Sequence, residues 1–170
     1  MNIYSEFEKD IKAAIADLVA DGALPSALDV TKLTVEAPRD PSHGDLSTNA
    51  VMVLSKQAGM NPRALADVLK PAIENIHGVE NVEIAGPGFI NIRLNGIVYL
   101  NLLKQILDDG LNYGQSTMGA KTPVNVEYVS ANPTGPLTVG HARGAIVGDS
   151  MAALMDKAGY DVRREYYIND

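Results

Sequence analysis

The pattern that most limits what this chain can fold into begins after Pro123. There a strand, a proline-broken loop, a long helix and a second strand follow one another without interruption. Val124–Val129 (VNVEYV) and Val162–Ile168 (VRREYYI) have strand character, and Ser130–Val139 carries two prolines and a glycine. Gly140–Ala158 predicts a helix with Ala145, Ile146, Met151, Leu154 and Met155 on its apolar side. A helix that crosses between neighbouring strands returns the chain to the same edge, so the two strands must run parallel. Two strands are too few for a stable sheet. Residues 124–170 are therefore expected to be the opening βαβ unit of a larger α/β domain, with the rest of that domain missing from these 170 residues.

The preceding residues read differently. Ser5 with Glu8 has the spacing of a capping box, and Phe7, Ile11, Ile15 and Leu18 recur at helical spacing, which predicts a helix over 5–21 ended by Gly22. A short strand is expected at Leu33–Ala37 and a loop at Pro38–Gly44. Asp45 can cap a helix to about Gln57 with Gly59 as its stop, and Asn61-Pro62 starts another that carries Leu65, Val68, Leu69, Ala72 and Ile73. Val82–Ala85 and Phe89–Leu94 flank Gly86-Pro87-Gly88 as a hairpin. Asn95 then caps a helix expected to bury Val98, Leu102, Leu103, Ile106 and Leu107. Residues 1–110 thus form an α+β domain, 111–123 (LNYGQSTMGAKTP) have linker composition, and 124–170 open the α/β domain.

Composition narrows the chemistry. With no cysteine among the 170 residues, disulfides, thiolate metal sites and a cysteine nucleophile are excluded. There is no apolar run near the ~20 residues of a membrane span, and the acidic start MNIYSEFEKD is unlike a secretory signal, so a cytoplasmic protein is expected. The net charge is −7, and residues 1–110 hold 9 basic against 15 acidic side chains. That balance argues against a broad nucleic-acid grip, which needs Lys and Arg opposite phosphates.

Chemistry concentrates in residues 126–145 (VEYVSANPTGPLTVGHARGA), which join the carboxyl end of a strand to the start of a helix. Ligands bind at that edge of parallel sheets, and unpaired N–H groups at a helix start suit a phosphate. Gly140 lets a base or phosphate approach the backbone, His141 in the first turn can donate to a phosphate oxygen, Asn132 offers a donor and an acceptor, and Glu127 offers a carboxylate to a cation. Each alone carries little weight: a His at a helix start is often only a cap, and Pro133 and Pro136 punctuate a loop. Neither a Walker A loop nor GxGxxG is present.

The combination is more specific. ANPTGP, VGHARG, Gly148-Asp149 and REYYIND (164–170) resemble the HIGH-motif region of class I aminoacyl-tRNA synthetases, and more narrowly of arginyl-tRNA synthetases. RDPSHGDLSTN (39–49), NPRALA (61–66) and AGPGFINI (85–92) are similar to that family's amino-terminal domain. The resemblance implies a Rossmann-like (HUP-type) catalytic domain and arginine–tRNA ligation: ATP with Mg²⁺ and L-arginine give arginyl-adenylate, and the arginyl group passes to tRNA(Arg). It implies ATP contacts from Pro136, Leu137, Thr138, Val139, Gly140 and His141, with Thr138 and His141 as the catalytic pair. It implies arginine contacts from Glu127, Ser130 and Asn132, with Ala131, Asn132, Pro133, Thr134 and Gly135 as the motif loop. No protein-bound metal is expected, the enzyme is expected to be a monomer away from membranes, and residues 1–110 are expected to touch the tRNA elbow.

One position departs from the pattern: Thr138 stands where the first His of HIGH is usual. Thr donates one hydrogen bond but carries no charge. His43 and Arg39 are read first as parts of a turn before an Asp cap and only second as RNA contacts; GPGFINI is read as structural and His77 as a solvated helix end. Two other functions fit: a non-catalytic tRNA-binding module, because a KMSK loop and an anticodon-binding domain are absent from these residues, and a small-molecule nucleotidylyltransferase of the [HT]xGH type.

Overall fold

A computed structural model describes residues 2–86 and 88–169. The chain divides into two compact units, residues 1–107 and 108–170.

The first unit opens with helix α1 (Ile3–Ala20), which buries Phe7, Ile11 and Ile15 at four-residue intervals. Its cap is Asn2, whose side chain accepts from the Tyr4 N–H at 3.1 Å, so the helix starts ahead of the predicted Ser5 and Glu8 pairs with Lys12 instead. Strands β1 (Val35–Glu36), β2 (Leu46–Thr48), β3 (Val79–Ala85) and β4 (Phe89–Leu94) make an antiparallel sheet in the order β1-β2-β4-β3. Helices α2 (Ala50–Ala58) and α3 (Pro62–Glu74) cover it, and α2 ends at Gly59 and α3 starts at Asn61-Pro62 as expected. Ile11, Leu33, Leu46, Leu54, Leu65, Leu69, Ile73, Val82, Ile90 and Ile92 form the core. The β3–β4 hairpin pairs Ala85 with Phe89; the middle of its turn, Pro87, lies outside the described residues.

Asp45 does not cap a helix. Residues 46–48 continue the sheet, with Leu46 paired to Ile92 and Thr48 to Ile90. The Asp45 carboxylate accepts from the Leu94 N–H at 2.8 Å. The turn before it, Pro41–His43, is capped by Asp40 through the Ser42 N–H at 2.9 Å, and Gly44 follows at φ +123°. A Cβ at Gly44 would stand 2.8 Å from the Ile92 carbonyl oxygen, so the entry to β2 requires glycine twice over.

Helix α4 (Gly96–Asp109) is held by Asn95, whose side chain accepts from the Ile97 N–H. It buries less than expected: Val98 and Leu102 are half-buried, whereas Leu103, Ile106 and Leu107 are exposed, Leu107 at 73%.

In the second unit, β5 (Pro123–Glu127) and β6 (Asp161–Glu165) pair in parallel, Val124 opposite Val162 and Glu127 opposite Glu165, with α5 (Val139–Lys157) between them in sequence. The stretch of linker composition is folded onto this unit. Ser116 N donates to the Lys157 carbonyl, Gly119 N to Ala158 and Lys121 N to Gly159, all within 3.0 Å. A two-stranded sheet covers only one stripe of α5: Ala145, Gly148, Ala152 and Met155 are covered, while Ile146 (69% exposed), Met151 and Leu154, expected to be buried, face outward.

Candidate functional site

The carboxyl end of β5, the loop that follows and the first turn of α5 form the site. Thr138 is the N-cap of α5, with extended backbone at φ −103° and ψ 170°. His141 occupies the third helical position, which is where a capping box places its reciprocal partner. The Thr138 backbone N–H donates to His141 Nδ1 at 2.9 Å, and the Thr138 hydroxyl lies 3.0 Å from the same nitrogen. A backbone N–H can only donate, so Nδ1 of the neutral ring is bare and the proton sits on Nε2. His141 Nε2 has no hydrogen-bond partner among the described residues, so the ring presents a donor from a helix N-terminus, where first-turn N–H groups also lack helical partners. Around it, Pro136, Leu137, Thr138, Val139 and Gly140 are exposed, and a Cβ added at Gly140 would meet only ordinary contact at 3.5 Å from the Thr138 hydroxyl.

The strand end is strained. Ser130 N donates to the Tyr128 carbonyl at 3.1 Å across Val129, which stands at φ +70°, and Ser130 follows at φ +36°. This is the positive-φ form of the γ-turn, rare even for small residues and costly for a β-branched one. The turn and the loop are tied to the segment after β6: Ser130 Oγ accepts from the Tyr167 N–H at 3.0 Å, and Asn132 Oδ1 accepts from Asn169 Nδ2 at 3.1 Å. Ala131 is half-buried and Pro133, Thr134 and Gly135 are exposed. Glu127 closes β5, and its carboxylate has no hydrogen-bond or ion-pair partner among the described residues. The site residues thus fall into two groups, Thr138 with His141 on the helix and Ser130 with Asn132 on the loop. No direct bond joins the groups among the described residues.

Three residues to which sequence reasoning gave no role support the strand end. Tyr128 donates its hydroxyl to Asp149 Oδ1 at 3.2 Å, and Arg164 Nε lies 3.3 Å from the same oxygen. The available signal was Gly148 beside Asp149, a residue without a side chain where a helix approaches an aromatic ring. Among the described residues, no group of three His, Asp or Glu side chains gathers as a metal would need, and no helix is long and apolar enough to cross a membrane.

The first unit has its own open groove of about 740 Å³ over β1, β2 and β4, lined among others by Arg39, His43, Met52, Phe89 and Asn91. Phe89, expected to pack, is 41% exposed there, while Ile90 is fully buried. Strand alternation explains the split: adjacent residues of β4 point to opposite faces. His77 is exposed, as expected.

Residues 5–94 match the family described as the arginyl tRNA synthetase N terminal domain, and residues 102–170 match that of tRNA synthetases class I (R), catalytic domain. Over the whole chain the sequence is 54% identical to an arginine–tRNA ligase of Jannaschia sp. and 56% identical to one of Parvibaculum lavamentivorans. The chain spans 30% and 29% of the length of these two relatives. The fold is similar to the solved arginyl-tRNA synthetase of Thermus thermophilus, at a TM-score of 0.57 and 27% identity over 96% of this chain and 25% of that one. It is also similar to that of Plasmodium falciparum, at a TM-score of 0.66 and 18% identity over 96% of this chain and 30% of the other, a likeness of fold alone.

Proposed function

Because the chain belongs to the arginyl-tRNA synthetase family, we propose that it supplies a tRNA-contacting domain and the first βαβ unit of a Rossmann-like, HUP-type catalytic domain to a cytoplasmic, monomeric arginine–tRNA ligase. The observation that carries this reading is the placement of His141: in the first turn of α5, directly after a parallel strand and its loop, with one ring N–H that has no partner among the described residues.

In this reading the arginine carboxylate attacks the α-phosphate of ATP·Mg²⁺, pyrophosphate leaves, and the arginyl group of the adenylate then passes to the 3′ end of tRNA(Arg). His141 Nε2–H and the N–H groups of the α5 start meet negative charge as it builds on the phosphate, the role of a preorganised oxyanion donor. The helix start fits a triphosphate because its donors are exposed and pre-positioned. Ser130 and Asn132 hold the polar backbone of arginine, and the unpaired Glu127 carboxylate meets one of its positive groups. Mg²⁺ arrives with ATP, held by phosphate oxygens. The groove of the first unit, with Phe89 as a stacking face and Arg39 and His43 at its lining, is the place for an unpaired tRNA base. The 170 residues by themselves are proposed to bind tRNA weakly without forming adenylate, since the described residues from 108 onward pair only two strands.

Arginine- and tRNA-dependent ATP–pyrophosphate exchange by the intact ligase carrying this chain tests the proposal. Turnover that ignores arginine but responds to a phosphorylated alcohol would overturn it in favour of a small-molecule nucleotidylyltransferase.

A further inference from the structure

We propose that Tyr128, Asp149 and Arg164 form a positioning unit that fixes the arginine-binding loop while leaving the ATP-binding helix start independent of it. This assignment rests on the ligase reading above. Tyr128 is the last residue before the γ-turn at Val129, and it is held from three directions. Its backbone N–H donates to the Glu165 carbonyl at 3.2 Å, which fixes it to the end of β6. Its ring lies on α5 at Gly148, where any Cβ would stand 2.4 Å from Tyr128 Cβ and Cγ. Its hydroxyl donates to Asp149 Oδ1 at 3.2 Å, the same oxygen that Arg164 Nε approaches at 3.3 Å. One carboxylate on the helix therefore holds the end of β5 and the body of β6 together.

Two successive non-glycine residues at positive φ, Val129 and Ser130, persist only where the surroundings over-determine them. Tyr128 supplies that restraint on one side of the turn, and the Tyr167 N–H bonded to Ser130 Oγ supplies it on the other. Freed from Asp149, the turn relaxes toward extended backbone, and Ser130 and Asn132 move with it. The Thr138–His141 bond lies wholly within the start of α5 and does not pass through Tyr128.

The consequence is a split between substrates. In the intact ligase, Tyr128→Phe keeps the ring on Gly148 and removes only the hydroxyl. It should raise KM for arginine by about five- to tenfold, the scale of one lost charge-assisted hydrogen bond, with KM for ATP unchanged. Asp149→Ala should reproduce that pattern. Asp149→Asn, which keeps an acceptor for the phenol, should return KM for arginine most of the way to wild type. An arginine KM within about twofold of wild type, equal rises in both KM values, or an Asn variant no better than Ala would each overturn the proposal.

A second measurement does not depend on the reaction. In the intact ligase, Tyr128→Phe should speed amide exchange at Ser130 and Tyr167 and leave Ala142, bonded to the Thr138 carbonyl, unchanged. Unchanged exchange at Ser130 overturns the positioning unit whatever the enzyme does. A wild-type ligase that shows no arginine-dependent exchange of pyrophosphate overturns the ligase reading alone.

Discussion

The Thr138 backbone N–H donates to His141 Nδ1 at 2.9 Å. One bond thus performs two tasks. It satisfies a donor that a helix start would otherwise leave unpaired, and it fixes which ring nitrogen of His141 carries the proton. The usual reciprocal partner at this helical position is Glu or Gln. A histidine there caps through one nitrogen and keeps the other for a ligand.

The first prediction follows from the free Nε2–H. His141→Ala in the intact ligase should slow arginine-dependent pyrophosphate exchange by roughly two to three orders of magnitude, the cost of one oxyanion-type donor. Ring ¹⁵N shifts of the neutral wild-type histidine should show Nδ1 unprotonated. A protonated Nδ1 would refute the tautomer, and an unchanged rate would remove His141 from the mechanism.

Strain at the strand end gives the second. Val124, Val126 and Val129 are all half-buried, but only Val129 stands at positive φ, +70°. Glycine at 124 or 126 loses packing and adds unfolded-state freedom. Glycine at 129 also relieves backbone strain of about 1–3 kcal/mol. Val129→Gly should therefore be less destabilising than Val124→Gly by about that amount in urea unfolding. Equal losses at the two positions would show that the turn is not strained.

Gly44 provides the third. Alanine there meets both a φ of +123° and the Ile92 carbonyl oxygen 2.8 Å from its Cβ. Since β2 depends on this entry for its pairing with β4, Gly44→Ala should destabilise the first unit by about 2 kcal/mol or more. A shift in the unfolding midpoint worth less than about 0.5 kcal/mol would contradict the geometry.

These cases also mark where the sequence could be read. The stop at Gly59 and the start at Asn61-Pro62 were legible because their causes are local: a left-handed residue, a side-chain cap and a proline at the first helical position. Asp45 misled because its neighbours suit a helix start, whereas the three residues of β2 owe their state to partners more than forty residues away, Ile92, Asn91 and Ile90. At the site, Thr138 and His141 stand three residues apart, so helical spacing alone brings them together. Tyr128 reaches Asp149 across 21 residues and Arg164 reaches it across 15. No local period connects them, and only the βαβ crossover does. The outward Ile146, Met151 and Leu154 of α5 were misplaced for a related reason: periodicity identifies an apolar face but not whether anything lies against it.

Tyr99 supplies the last prediction. Burial, with a hydrogen bond to the Asp45 carboxylate and its charge adding to the effect, pushes the phenol up from 10.0 to about 12. The raised value means that the folded state favours the neutral phenol. Its contribution to stability is therefore fully present below about pH 10 and is lost as the pH climbs through about 12, where both states ionise alike. Asp45 is the residue that also accepts from the Leu94 N–H at the end of β4. Tyr99 is 44% exposed, which lets solvent screen the effect and keeps it modest. Urea midpoints of the wild type and of Tyr99→Phe, measured from pH 9 to pH 12, should converge across the upper two units, the wild type losing its advantage as the phenol ionises. Parallel curves over that range would mean that the Tyr99 hydroxyl is not coupled to Asp45 in the folded chain.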